Sequence, residues 1–353
     1  MTAAMIARPS GIMTATTLRR HARGLATEVF NRALKRQQRE AAAKIPSALS
    51  QYTYLRDEVA ERLVERLEDI HESYNFPEAV DLCCGNGHVR RALAGGRGGV
   101  EKLLELDTSE AMLAASAEAA ESEATPDDDD FPPVTVTRQI VDDEVPRLER
   151  ESADLVLSSM NLHWVNDLPG TLAAARRILR PNGLFLGCML GGETLAEMRS
   201  AFVLADLERR GGVSQRMSPL CSVADAGALL QAAGFALPTV DTEILTVRYP
   251  DAWTLWHHLR AMGDAHATVH RTAASRETLL AASAIYAEMY ADPVDGSIPA
   301  SFQLIYMTGW SPHDSQQRPL PRGSGQISLK DLSKDLKDLG VEFDPDTGGI
   351  SRK

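Results

Sequence analysis

Cysteine is scarce in this chain of 353 residues, which holds only Cys83, Cys84, Cys188 and Cys221. None is placed in a C-x-x-C pair, so neither a disulfide framework nor a zinc site is expected, and the thiols read as reduced ones in a reducing compartment. No apolar run approaches the roughly 18 residues that a membrane-crossing helix needs, so no integral membrane segment is expected. Positive charge is in deficit, with a formal net charge of -12. Phosphate binding depends on Lys and Arg, so nucleic acid is disfavoured as a partner. There is no H-E-x-x-H helix, no His-x-Asp/Glu pair of the kind that announces a 2-His-1-carboxylate iron site, and no G-x-G-x-x-G turn. What remains, 44% hydrophobic and 24% charged, is the composition of an ordinary globular protein.

Acid is also missing, but only locally. Residues 1–44 carry nine basic side chains and two acidic ones, Glu28 and Glu40, which leaves 28 basic against 47 acidic residues in the rest. Before Glu28, Arg8, Arg19, Arg20 and Arg23 are interspersed with Thr, Ala and Ser. An Arg-rich, acid-poor, hydroxyl-rich leader is the signature of an organellar transit peptide, expected over residues 1–27. Residues 28–44 read instead as a helix with a basic face.

From residue 75 short apolar runs alternate with helical stretches, the pattern of a parallel sheet covered by helices. Strands are expected at Ala79–Cys83, Lys102–Leu106, Val134–Val141, Ala153–Ser159 and Leu184–Leu190. Helices are expected over Val89–Ala94, from Ser109 onward and over Pro169–Leu179, with Arg180-Pro181-Asn182-Gly183 as a turn. The acidic run Asp127–Asp130, beside Pro126, Pro132 and Pro133, reads as a solvated loop.

The segment Val80-Asp81-Leu82-Cys83-Cys84-Gly85-Asn86-Gly87 is the most informative. A glycine turn at the carboxyl end of a strand lets a ligand approach the backbone, a role for Gly85 and Gly87. Asp81 is placed to accept hydrogen bonds from that ligand or from the loop. About twenty residues on, Asp107 ends the second strand, where a carboxylate can accept both hydroxyls of a ribose. Asp142 follows the third strand, where an acid either receives an adenine amino group or is a surface charge.

The turn and its acidic follower resemble motif I of class I S-adenosylmethionine-dependent methyltransferases, an α/β Rossmann-like fold. The stretch Leu155–Pro169, which contains Met160-Asn161-Leu162-His163-Trp164, is more specific. It resembles the mitochondrial complex I assembly-factor family of methyltransferase-like arginine hydroxylases. So do Gly191–Leu195, Val240–Glu243, Leu279–Tyr290, Gly309-Trp310, His313, Ser315-Gln316 and Arg318-Pro319, and, upstream, Phe30–Arg36 and Tyr54-Leu55-Arg56. The likeness runs over about residues 28–332.

It implies S-adenosyl-L-methionine as cofactor, held by Asp81, Cys83, Gly85, Gly87, Asp107 and Asp142. It also implies hydroxylation of an arginine of a complex I subunit early in assembly, in the mitochondrial matrix or on the matrix side of the inner membrane, with peripheral membrane contact allowed. One departure is Cys83, where the family has glycine. A side chain there crowds the ligand and is disfavoured if the backbone requires positive φ. Two other activities stay open: an O-methyltransferase acting on a small carboxylate or carrier-protein thioester, like the malonyl-carrier-protein enzymes of biotin synthesis, and a non-catalytic assembly chaperone.

Methyl transfer asks mainly for orientation. Hydroxylation needs an oxidant and a carrier for electrons, and no residue pattern here names one. His163 and Trp164 are the candidates for the substrate-facing wall: the indole offers a flat face to a guanidinium or adenine, and the imidazole can bind or move a proton near neutral pH. A buried Trp with a hydrogen-bonded His is the plain alternative. His257, His258, His266 and His270 are expected in a helical region with surface or packing roles, so no metal site is assigned. The expected organisation is a leader over 1–27, a helical segment over 28–74 and a methyltransferase-like domain over 75–332. Helical additions at 195–233 and 252–290 lie over its pocket, and a disordered tail covers 333–353. Arg318-Pro319 and Arg322-Gly323 belong either to the pocket entrance or to a solvated tail.

Overall fold

The computed structural model describes residues 28–45, 52–70, 74–123, 134–141, 144, 146, 148–317, 341–343 and 350–352. The expected leader, the acidic run Asp127–Asp130, Asp142, and the pairs Arg318-Pro319 and Arg322-Gly323 lie outside the described residues. Two units are distinguished, the first ending at His313 and the second covering Asp314–Lys353.

The first unit opens with two helices, α1 (Arg32–Ala43) and α2 (Tyr54–Glu68). Asn31 starts α1 by accepting a hydrogen bond from the Leu34 N–H at 2.9 Å, a side-chain cap of the kind that fixes a helix start. The alternation follows: β1 (Glu78–Leu82), α3 (His88–Ala92), β2 (Lys102–Asp107), α4 (Glu110–Glu123), β3 (Thr135–Ile140), β4 (Ala153–Ser159), α5 (Leu168–Ile178) and β5 (Leu179–Leu190). These five strands pair in parallel, as the apolar runs require: β1 and β4 are buried on both faces. The expected turn at Arg180–Gly183 is a bulge inside β5. Asn182 has φ +63, and the register with β4 jumps between Ala153 and Leu155.

The sheet continues beyond the expected strands. After α6 (Ala196–Arg210) and α7 (Val223–Ala232) comes β6 (Ala236–Tyr249), and after α8 (Ala252–Ala261) and α9 (Arg276–Tyr290) comes β7 (Ile298–Trp310). The seven-stranded order is β3-β2-β1-β4-β5-β7-β6, with β7 antiparallel to both neighbours. Neither long strand was assigned from the sequence. β6 is an edge strand whose residues alternate between half-buried and exposed, so it carries Asp241, Glu243 and Arg248 where an apolar run would have signalled it.

Two cores sandwich the sheet. One joins α2, α3, α6, α8 and α9 around Leu63, Leu155, Tyr286 and Phe302; the other joins α5 and α7 around Leu172, Phe185 and Leu230. The helical additions therefore divide. α7 packs through Ala226 and Leu230 into the second core instead of covering a pocket. His266 and His270 lie in the connection between α8 and α9, not on a shared helix face. In the second unit, within the tail expected to be disordered, β8 (Val341–Phe343) and β9 (Ile350–Arg352) pair antiparallel.

Candidate functional site

β1 and β4 are neighbours at the centre of the sheet, and their chains leave in different directions, so a crevice opens at their carboxyl ends, the place where open α/β sheets bind ligands. The turn after β1 runs through Cys83 (φ +64), Gly85 (φ +61) and Gly87 (φ +83). The two glycines do different work. Gly85 lines a cavity of about 480 Å³ together with Asn86, Arg39, Arg56, Thr53 and Met112. Gly87 faces away from it: a Cβ there would stand 2.7 Å from the Ser116 hydroxyl and 3.2 Å from Glu105. Its missing side chain lets α3 and α4 pack closely against β2. Cys83 is buried, and its backbone is held in the left-handed region that a side chain disfavours.

Three carboxylates meet below the turn. Glu105 accepts a hydrogen bond from Ser116 Oγ at 2.7 Å and an ion pair from Arg138 Nε at 2.9 Å. Asp107 accepts the backbone N–H of Gly85 at 3.1 Å and of Ser109 at 2.9 Å. Asp81 is fully buried, and neither of its oxygens has a hydrogen-bond partner among the described residues. Burial, reinforced by the charges of Glu105 and Asp107, pushes its pKa well above the usual carboxylate range, making it a weaker acid. A buried carboxylate without a partner is costly. It fits a site that receives a cation such as the amino group of an amino acid.

Asp107 has a partner that no motif in the sequence announces. Arg39, in the last turns of α1, forms a buried ion pair with it and also reaches the Asn161 side chain at 3.4 Å. Its guanidinium lines the 480 Å³ cavity on one side and a second space of about 300 Å³, walled by Thr108, Ile140, Val141 and Asn161, on the other. The basic face of α1 thus turns inward: Lys35 and Arg39, four residues apart and on one helical face, are both buried.

Lys35 donates to Asp264 Oδ1 at 2.9 Å and to the Gly263 carbonyl at 2.7 Å, and stands 3.4 Å from the centre of the Trp164 ring. Asp264 also takes Arg56 at 2.7 Å and the Trp164 indole N–H at 3.2 Å.

His163 and Trp164 form a short 3₁₀ turn after β4, both buried. Together with Met198, Phe202, Met217, Trp256 and Asp264 they line a third cavity of about 220 Å³. They do stand at a pocket wall, but burial lowers the His163 pKa to about 3, so the imidazole is neutral at physiological pH and is not poised to carry a proton there. α6 and α8 cover this cavity; α9 packs behind them without lining it. His257 and His258, on α8, meet the ring of Tyr52 edge-on, a packing role.

Residues 80–187 match a family described as a methyltransferase domain, and with the strand order above the fold is the class I methyltransferase fold. Over 307 residues the chain is 41% identical to "Arginine-hydroxylase NDUFAF5, mitochondrial" of Danio rerio, covering 87% of this chain and 90% of that one. The protein of the same name in Homo sapiens is also 41% identical over 307 residues, covering 87% of this chain and 84% of that one. A "Malonyl-[acyl-carrier protein] O-methyltransferase" of Gallionella capsiferriformans is 30% identical over 284 residues, covering 79% and 91%.

Proposed function

The chain belongs to the arginine-hydroxylase NDUFAF5 family, and on that premise we propose that it binds S-adenosylmethionine in the crevice at the carboxyl ends of β1 and its neighbours and hydroxylates an arginine of a complex I subunit during assembly. The observation that carries the binding site is the partnerless, buried Asp81 beside the Gly85 turn. In this reading Asp81 and Arg56 hold the amino and carboxylate groups of the methionine end. Asp107 holds the ribose once Arg39 releases it, and Thr108 and Val141 border the base. Asp142, read from the sequence either as receiving the adenine amino group or as a surface charge, lies outside the described residues. Hydroxylation adds an oxygen atom to the arginine, so it needs a peroxide, or molecular oxygen with two electrons from a reductant; the sulfonium methyl group that the bound nucleoside would carry supplies neither, and serves methyl transfer instead. The chain's own contribution is to fix the nucleoside, exclude water beneath α6 and α8, and orient the arginine.

The chain is mitochondrial, as its relatives are named; a place in the matrix, against the inner membrane, belongs to the proposal. Methyl transfer to a carboxylate is less well supported, because the identity to the carrier-protein methyltransferases is lower than that to the arginine hydroxylases. The test is mass spectrometry of complex I subunits from cells with and without the gene. The proposal expects one arginine peptide to lose the mass of an oxygen atom when the gene is absent; unchanged peptide masses contradict it. A non-catalytic chaperone would instead support assembly when Asp107→Ala has abolished nucleoside binding.

A further inference from the structure

Building on the arginine-hydroxylase reading, we propose that the 220 Å³ cavity is the pocket for the substrate arginine side chain, with Asp264 as its anionic end and Lys35 as a resident cation that the entering guanidinium replaces. The walls suit the stem of a long side chain: Met198, Phe202, Met217 and Trp256 offer thioether and aromatic surface. The cavity adjoins the nucleoside crevice. Met262 lines both spaces, and Arg56, on the crevice side, holds Asp264 on the pocket side. An arginine seated here therefore lies next to the proposed cofactor site.

The polar end has one group too many and one too few. His163 Nδ1 accepts the Leu190 N–H at 3.4 Å, so the neutral ring carries its hydrogen on Nε2, and that buried donor has no partner among the described residues. It is available to an oxygen of the substrate. Asp264, by contrast, serves two cations, Lys35 and Arg56. The groups facing Lys35 are Asp264 and the Gly263 carbonyl from the segment after α8, Arg56 from α2, His163 and Trp164 from the turn after β4, and Arg39 on its own helix. His163 is neutral and Arg39 is matched by Asp107. Arg216, on the pocket wall, is matched by Asp206.

Among the described residues, and with no nucleoside carboxylate on Arg56, the unmatched charge is that of Lys35 or Arg56, and a guanidinium does not give up its proton in a protein. Burial lowers the Lys35 pKa to about 7, so Lys35 is the cation that can yield. A guanidinium arriving at Asp264 drives one proton off Lys35, and the neutral amine becomes an acceptor for it. Binding is then linked to the release of one proton. Affinity for arginine rises about tenfold per pH unit below pH 7 and levels off above it.

The test is calorimetric titration of the full chain with acetyl-Gly-Arg-Gly-amide and its citrulline counterpart, at several pH values on both sides of neutrality. The arginine probe is expected to bind with the stated pH slope and the uncharged citrulline probe to bind at least about tenfold more weakly, the loss of one charge-assisted contact. Lys35→Met, close in volume, should keep binding and abolish the slope. Met217→Trp should fill the cavity and abolish binding while circular dichroism shows a folded chain. Equal citrulline binding, an unchanged slope in Lys35→Met, binding that survives Met217→Trp, or no binding to the wild-type chain overturns the pocket. If any of these occurs while the oxygen mass is still lost on gene deletion, the arginine chemistry stands and its pocket lies elsewhere. If the mass never changes, it is the functional reading that fails.

Discussion

Arg39 of α1 is ion-paired with Asp107 at the carboxyl end of β2, both side chains at most 5% exposed. The acid expected to bind a ribose is thus matched by a cation from a helix that precedes the sheet. A buried carboxylate cannot be left bare at small cost, and Arg39 supplies the missing charge. In the proposed binding mode the nucleoside exchanges for it.

Removing that guanidinium separates the two roles. Arg39→Ala is expected to destabilise the unliganded chain by about 3–5 kcal/mol, the cost of leaving one buried partner uncompensated. The same change removes a competitor, so S-adenosylmethionine should bind about tenfold more tightly, equivalent to about 1.4 kcal/mol. Urea unfolding with and without the nucleoside measures both. A variant that is destabilised yet binds more weakly would make Arg39 a ligand contact instead of a competitor.

Cys83 occupies a left-handed conformation at φ +64. A non-glycine residue there costs about 1–2 kcal/mol, of which the greater freedom of glycine in the unfolded chain returns about half. Cys83→Gly should therefore raise stability by about 0.5–1 kcal/mol. Thermal unfolding of the variant checks this. A loss of stability would mean that the buried sulfur's packing outweighs the backbone strain.

The buried imidazole of His163 makes the chain acid-sensitive. Its folded pKa is lowered to about 3 from 6.5 by burial. Between those values the unfolded chain binds more protons than the folded one, so stability rises with pH across that window and is lost as pH falls from 6.5. His88, lowered to about 4 by burial, adds to the slope. Unfolding midpoints measured across this range should fall with acid, and less steeply in His163→Leu. An identical slope in that variant would show that His163 is not the group responsible.

The parallel half of the sheet is legible because β1, β2, β4 and β5 carry short apolar runs and the turn after β1 is marked by Asp81, Gly85 and Gly87. β6 is not: it lies at an edge, and its polar alternation in Val240-Asp241-Thr242-Glu243 resembles a loop. The division of labour between the glycines was equally hidden, since only the packing against Ser116 shows that Gly87 serves the fold. Lys35, Arg39, Arg56 and Asp264 were missed for a different reason. They belong to three segments separated by up to 229 positions, and a basic helical stripe normally reads as a solvated face. The one hint was the i, i+4 spacing of Lys35 and Arg39 within the resembling stretch that begins at Phe30.

The measurement that bears most directly on the account is calorimetric titration of the full chain with S-adenosylmethionine, run beside Asp107→Ala with circular dichroism to establish that both are folded. The account predicts saturable binding to the wild-type chain and none to the variant. Equal binding by both chains, or no binding by the folded wild-type chain, would contradict it.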